Sequence, residues 1–273
     1  MSFRSALLLT AILLANRAVA NDKLPPAPCH QAAVVGRMLW LKGAMEVPPS
    51  VATLMVNVID GKLAQVRRQL KGMPPIDERR WRQSAFITAV YAEQSGVAAG
   101  LLDDGADVNG KGWMPAYKPD FFGNAVTAMK HDPRFGGPGA VDGMAKTGLL
   151  ENQGRFLGPA LSIAASCSDV ATVDVLLRHH PDVMARQAPN VEDALEVATL
   201  QGNAAIVRRL LDHGATSCIH DRRLHEHMRN DPALRERMLT AKRDFTLAAI
   251  GRRAGLPAGL TGRLICPIGP STH

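Results

Sequence analysis

The sequence predicts an all-α chain built from repeated helix pairs, and three observations carry that prediction. The stretch 193–215, DALEVATLQGNAAIVRRLLDHGA, shares its apolar pattern with the chain 34 residues earlier. Leu195, Ala198, Ile206, Val207, Leu210 and Leu211 match Leu161, Ala164, Thr172, Val173, Leu176 and Leu177. A repeat of that length is the signature of stacked supersecondary units. The composition agrees: 46% hydrophobic and 21% charged, but only 4% aromatic. Many small apolar residues and few rings suit short helices packed in layers. Glycines also fall where such units must turn, Gly61 between two helical stretches and Gly105 after one.

The first twenty residues read as a targeting segment. Arg4 gives a positive start, 6–15 is apolar apart from Thr10, and Ala18, Val19 and Ala20 form a small-residue cleavage site. The mature chain is expected to begin at Asn21. The apolar run is too short for a permanent anchor, and Cys29 lacks the apolar and small residues that precede a lipidated cysteine. Export as a soluble periplasmic protein is the expectation, without stable membrane insertion.

Residues 21–50 read as a proline-stiffened leader and a covering helix. Pro25, Pro26 and Pro28 precede a stretch in which Ala33, Val34, Met38 and Leu41 fall at helical spacing, with Trp40 beside them. Pro48 and Pro49 end it. The first two repeats then occupy 51–109. The first runs 51–77, with Val66 and Leu70 on the inward face of its second helix. The second runs 84–109, with Phe86, Ala89, Val97, Leu101 and Leu102 in the equivalent places. Its end, LLDDGADVN at 101–109, places Gly105 at a helix C-terminus and Asp107 to Asn109 in a turn.

These residues carry a resemblance. LLDDGADVN resembles the end of an ankyrin repeat almost residue for residue, and 194–215 is similar to the whole ankyrin pattern. The likeness covers about 51–217 with one interruption. The Thr-Pro-Leu-His opening usual in that family is degraded: Asp193, Ala194, Leu195 and Glu196 stand there in the fourth repeat, Pro159, Ala160, Leu161 and Ser162 in the third. The resemblance implies an ankyrin-repeat solenoid of about four repeats. Each would be two antiparallel helices and a projecting loop, stacked because one repeat alone buries too little.

The interruption is 110–156. Leu102 and Leu177 are 75 apart where one repeat spans 34, so 41 residues are extra. Half of the twelve aromatics lie in it: Trp113, Tyr117, Phe121, Phe122, Phe135 and Phe156. So many rings argue against plain disorder, and long loops in compact arrays are often functional. With Pro115 and Pro119 present, 113–122 is expected to be an irregular, stiffened loop, followed by a short helix over 124–131. Asn109, Trp113, Tyr117, Phe121 and Phe122 are the expected partner-binding residues, near the middle of the stack.

Repeats three and four occupy 157–219. Residues 220–254 are expected to cap the array: Asp231 and Pro232 start a helix, and Leu234, Met238, Ala241, Phe245 and Ala249 form its apolar stripe to about Ile250. The tail, 255–273, is expected to be irregular, with Pro257, Pro267 and Pro270.

Chemistry is sparse. The net charge is +7, but Arg67, Arg68, Arg208 and Arg209 are scattered rather than clustered, so nucleic acid is not expected as a partner. His225 and His227 are two apart and point to different faces of a helix, unlike a zinc-binding H-E-x-x-H. His213 and His220 lie nearby without ligand spacing, and no metal or cofactor is expected. Ser166, Cys167 and Ser168 lack a nucleophile frame. The glycines at 136, 137 and 139 have no P-loop lysine. No catalytic residues are assigned. An enzyme would need His131 joined by Asp120, Asp132, Asp142 or Glu151.

The four cysteines, Cys29, Cys167, Cys218 and Cys266, contain no C-x-x-C, and export allows disulfides. Cys218 follows the last repeat, and a tail folding back brings Cys266 to it. Cys167 sits at the opposite, helix-turn edge, so a Cys167–Cys218 bond is excluded. The resemblance implies protein–protein binding. Among exported bacterial proteins of this kind it suggests two roles: immunity against a toxin such as a lipase or peptidoglycan enzyme, or support of an enzyme such as a catalase.

Overall fold

A computed structural model describes residues 29–131, 155–186, 192–218, 220 and 246–266. The expected targeting segment, the proline leader, Phe135, the histidines at 225 and 227, and the stripe from Leu234 to Phe245 lie outside the described residues. The chain divides into two compact units, Met1–Leu157 and Gly158–His273.

The first unit starts with α1 (Cys29–Leu41), followed by α2 (Pro49–Ile59) and α3 (Leu63–Lys71), then α4 (Pro75–Tyr91) and α5 (Ser95–Asp103). Strand β1 (Gly112–Met114), α6 (Pro119–Lys130) and β2 (Arg155–Leu157) complete it. The second unit holds α7 (Ala160–Ser166) with α8 (Val170–Arg178), α9 (Ala194–Leu200) with α10 (Ala204–Asp212), and α11 (Leu247–Arg253) with α12 (Ala258–Arg263). The architecture is that of an all-α helix-pair array.

One turn joins the helices of every pair. The residue after the first helix's cap takes a positive φ: Gly61 (73°), Glu93 (58°), Ser168 (58°), Gly202 (69°) and Gly255 (82°). In each case two backbone bonds close the helix end. Gly202 N–H reaches Thr199 O and Asn203 N–H reaches Ala198 O; Gly61 and Lys62 do the same to Val58 and Asn57. This is the Schellman arrangement, which satisfies carbonyls that a helix end leaves open.

The fifth occurrence, at Gly255, corrects the sequence reading. Residues 247–263 form a fifth helix pair rather than the end of one long helix and an irregular tail. Thr246 is non-helical (φ −59°, ψ 152°), and its side chain caps α11 by accepting from Ala249 N–H. A continuous helix through 245–247 is therefore broken there. Pro257 stops nothing, because it precedes α12, where a missing N–H is harmless.

Two other expectations are corrected. The second repeat begins at Pro75, not Ser84, so 75–77 belong to α4 and not to the first repeat. Proline at the first helical position and acids Asp77 and Glu78 in the first turn favour that start. On α1 the buried face runs Cys29, Ala33 and Trp40, while Met38 and Leu41 are exposed. The helix is rotated from the expected stripe, and it packs that face on α2 and α4.

Within each unit the first helices of neighbouring pairs pack together, α2 on α4, α7 on α9 and α9 on α11. Their cores are Leu54, Met55 and Val58, then Ala85, Phe86 and Ala89, and later Leu161, Ala164, Leu195 and Ala198, all buried. Each fully buried leucine or phenylalanine contributes about 1.5–3 kcal/mol from its removal from water. The second helices supply Val66, Leu70, Val97, Leu101, Val173, Leu176, Ile206 and Leu210. Arginine–aspartate pairs link them at the surface: Arg67 to Asp104 at 2.7 Å, Arg209 to Asp174 at 2.6 Å and Arg263 to Asp212 at 2.8 Å.

Candidate functional site

The most built surface of the first unit lies where the early turns of α4 meet the loop after α5. Ile76, Arg79, Arg80 and Gln83 sit three, four and seven apart and so share one helix face. Opposite them, Gly105 (φ 91°) closes α5, with Ala106 N–H bonded to Leu101 O. Gln83 then grips the loop twice. Its Nε2 donates to Asp107 O and its Oε1 accepts from Asp107 N–H, both at 2.9 Å. The Asp107 carboxylate accepts from Asn109 N–H at 2.8 Å, an Asx turn.

Beyond the turn the chain lies down on α4. A Cβ at Gly112 would fall 2.7 Å from Ile87 Cβ and 3.1 Å from Ser84 Cα, so only glycine lets β1 approach. Trp113 N–H donates to Ser84 Oγ at 3.0 Å, and Ser84 donates on to Arg80 O at 3.0 Å. The Arg80 guanidinium sits 5.2 Å from the Trp81 ring centroid and 5.4 Å from that of Trp113, cation–π range for both. β1 pairs antiparallel with β2, Trp113 opposite Phe156. Residues 116–118 then bond to 44–46, with Glu46 N–H to Ala116 O at 3.0 Å and Lys118 N–H to Ala44 O at 2.8 Å.

The expected irregular loop is therefore a strand laid on α4, a segment at 116–118 bonded to 44–46, and then the helix α6. Pro119 does not prevent a helix, because it is the first residue of α6, where proline is tolerated. That helix also starts before the expected 124. Of the predicted binding residues, Asn109 is exposed at the loop, and Trp113, Tyr117 and Phe121 are half-buried. Tyr117 and Phe121 stack at 5.7 Å with planes 27° apart. Phe122 is in α6, and its side chain lies outside the described residues. Trp113 thus belongs with Arg80, and Tyr117 with Phe121.

Sequence reasoning missed Ile76, Arg79, Arg80 and Gln83, because 78–83 were left between repeats and Ile76 was assigned to the end of the first. The signal was present: Pro74 and Pro75 followed by Asp77 and Glu78 mark a helix start. Together with Asp107 and Lys111 these residues line an open cleft of about 400 Å³.

A second polar cluster lies in the second unit. Asp193 caps α9 in a reciprocal capping box with Glu196. Arg186 bonds to both carboxylates, at 2.9 Å to Asp193, and His220 Nδ1 donates to Glu196 Oε1 at 2.7 Å. Burial, then the neighbouring Glu196, pushes the Asp193 carboxyl up. Burial pushes Glu196 up as well, but the bonds from His220, Asp193 N–H and Arg186 outweigh it and hold Glu196 at about 2. Every charge here has a partner, the pattern of a structural polar core. His213 Nδ1 meets Arg209 O at 2.8 Å, at the end of its own helix.

Cys218 and Cys266 form a disulfide across 48 residues, with α-carbons 4.9 Å apart. The expected pairing is the one found, and the excluded Cys167–Cys218 bond is absent, Cys218 being taken. No cysteine among the described residues is free. Among the described residues no helix is long and apolar enough to cross a membrane.

No family model matches the chain, and no curated protein matches it. Two solved structures are similar in part. The ankyrin repeat domain of Bcl-3, described as a unique member of the IkappaB protein family, is 16% identical. That match covers 78% of this chain and 87% of Bcl-3 at a TM-score of 0.38. The human ASB11 ankyrin repeat domain is 18% identical, covering 60% of this chain and 70% of its own at a TM-score of 0.28. At those scores the fold class rests on the chain's own helix pairs and turns.

Proposed function

We propose that this chain is an exported binding scaffold of ankyrin type that captures another protein, and that the captured protein is a toxin enzyme delivered between cells. The observation that carries the binding reading is the face at 76–113, a loop fixed by Gln83 and set beside two exposed arginines and a half-buried tryptophan. Such a face loses little freedom on binding, because its backbone is held before the partner arrives. Asn109 and Trp113 on this face, with Tyr117, Phe121 and Phe122 in the segment that follows it, are the proposed contacts, the aromatic rings serving as anchors. The pattern of residues 1–20 and the oxidised cysteines support export. A large, aromatic-rich insertion suits a one-partner interface, which supports immunity over general enzyme support.

The test is a pull-down with the full chain from periplasmic extract, repeated with Trp113→Ala combined with Phe121→Ala. Loss of one partner with little change in melting supports the reading. A large fall in melting with binding unchanged, after correction for the folded fraction, moves the interface elsewhere. Intact-mass analysis of the exported protein should show Asn21 as the first residue; retained Met1 removes the export part.

A further inference from the structure

The cleft between α4 and the 105–111 loop has a chemistry of its own. Three of its side chains are cationic, Arg79, Arg80 and Lys111, against one carboxylate, Asp107. Asp107 is already engaged by Asn109 N–H, and Glu78 on the same helical turns is neutralised by Arg82. Arg79 and Arg80 alone outnumber that one carboxylate, so the lining carries a net positive charge. Both arginines are exposed, so their charge reaches an incoming ligand. Arg80 is also oriented, its guanidinium over two indole rings. At the outer end Ile76 is 82% exposed, an apolar side chain of unusual accessibility on an otherwise charged helix start.

We infer that this cleft docks an acidic peptide segment of the captured partner, carboxylates on Arg79 and Arg80 and an apolar side chain on Ile76. The inference rests on the binding-scaffold reading and names the chemistry that its site selects. Planar guanidinium forks match carboxylates in two-point contact, and charge complementarity sets which partner approaches. The cleft's 400 Å³ has room for only a few side chains. A polynucleotide is the other anionic ligand to consider. It needs a basic track along several phosphates, whereas here the cations converge on one short cleft beside an apolar contact.

The test uses the full chain with disulfides intact and three fluorescein-labelled hexapeptides in anisotropy titrations. One alternates glutamate with leucine, the second glutamine with leucine, the third lysine with leucine. Saturable binding is expected for the glutamate peptide, weakened at least about tenfold by Arg79→Gln combined with Arg80→Gln. Arg79→Glu combined with Arg80→Glu should transfer preference to the lysine peptide. No saturation by the glutamate peptide at roughly millimolar concentration overturns the inference, as does equal binding of the glutamine peptide. Displacement of the glutamate peptide by oligothymidylate at equal concentration also overturns it, in favour of nucleic acid. If the periplasmic partner is still captured by the glutamine variant but lost on Trp113→Ala, the cleft is wrong and the scaffold reading stands. Capture by both variants removes the cleft and moves the interface elsewhere; no partner captured by the unaltered chain removes the scaffold reading itself.

Discussion

Gln83 holds Asp107 by both of its backbone polar groups, one bond each way at 2.9 Å. The amide side chain thus does for the loop what a strand partner would do. Replacing Gln83 by Leu keeps the size but removes both bonds. Each partly exposed bond contributes about 0.5–1.5 kcal/mol net, so a loss of about 1–3 kcal/mol in urea unfolding is expected. The diagnostic readout is hydrogen exchange: the Asp107 amide should lose protection while Leu101 and Leu102 keep theirs. Protection retained at Asp107 would show that the loop is held by something other than Gln83.

The helix pairs were legible in the sequence because burial in an array repeats. Leu195 and Leu161, Leu210 and Leu176 recur at one spacing and are all buried. The turn glycine Gly61 was equally plain. The fifth pair was hidden because its spacing differs: Gly202 and Gly255 are 53 apart, not 34. The start of α4 was hidden because the first repeat was carried past Pro74 and Pro75 to Asp77, although proline serves as well to begin a helix as to end one. The site was half legible. Trp113 stood out by composition, but Arg80 did not, since an arginine's role depends on which rings fold over it.

The shared turn makes a paired prediction. A Cβ at Gly202 would lie 2.3 Å from Ala254 O, whereas nothing lies within 4 Å of one at Gly255. Both have positive φ. Gly255→Ala should cost only the conformational penalty, about 1–2 kcal/mol. Gly202→Ala adds a backbone collision and should cost clearly more. Equal melting temperatures for the two variants would contradict the close approach of residues 202 and 254.

Leu200 and Leu210 belong to the same helix pair but differ in burial, 52% exposed against 0%. Leu210→Ala should cost about 2–5 kcal/mol, the range for a buried leucine. Leu200→Ala should stay within about 0.5 kcal/mol. A reversed order in denaturant titrations would put the helix in the wrong rotation.

The Cys218–Cys266 bond closes a 48-residue loop. Loop-closure entropy for that length gives about 4 kcal/mol of stabilisation, acting on the unfolded chain. Replacing both cysteines by Ser should lower unfolding free energy by about that amount. Non-reducing peptide mapping of the native chain should recover the two cysteines in one linked fragment.

Glu196 and Asp193 predict how the second unit responds to acid. Glu196 falls from its usual 4.5 to about 2 in the folded chain. Its ionised form therefore favours folding, a contribution fully present above about pH 4.5 and lost as pH falls toward 2. Asp193 is shifted the other way, above its usual 3.8. The folded state holds that proton more tightly than the unfolded one, so stability from this group declines as pH rises above 3.8. Glu196→Gln should flatten the loss of stability below pH 4.5. It also leaves Arg186 without one carboxylate, with a cost near neutrality of about 3 kcal/mol, typical of a broken buried pair. Asp193→Asn keeps a good helix cap and leaves Arg186 its bond to Glu196. It should remove the decline above pH 3.8 while preserving the fall below it. Asp60, also held at about 2 by Arg37, titrates identically in both variants and cancels in the comparison. Melting temperatures across pH 2–6 test the pair. Parallel curves for the wild type and both variants would mean that neither carboxylate is held as described.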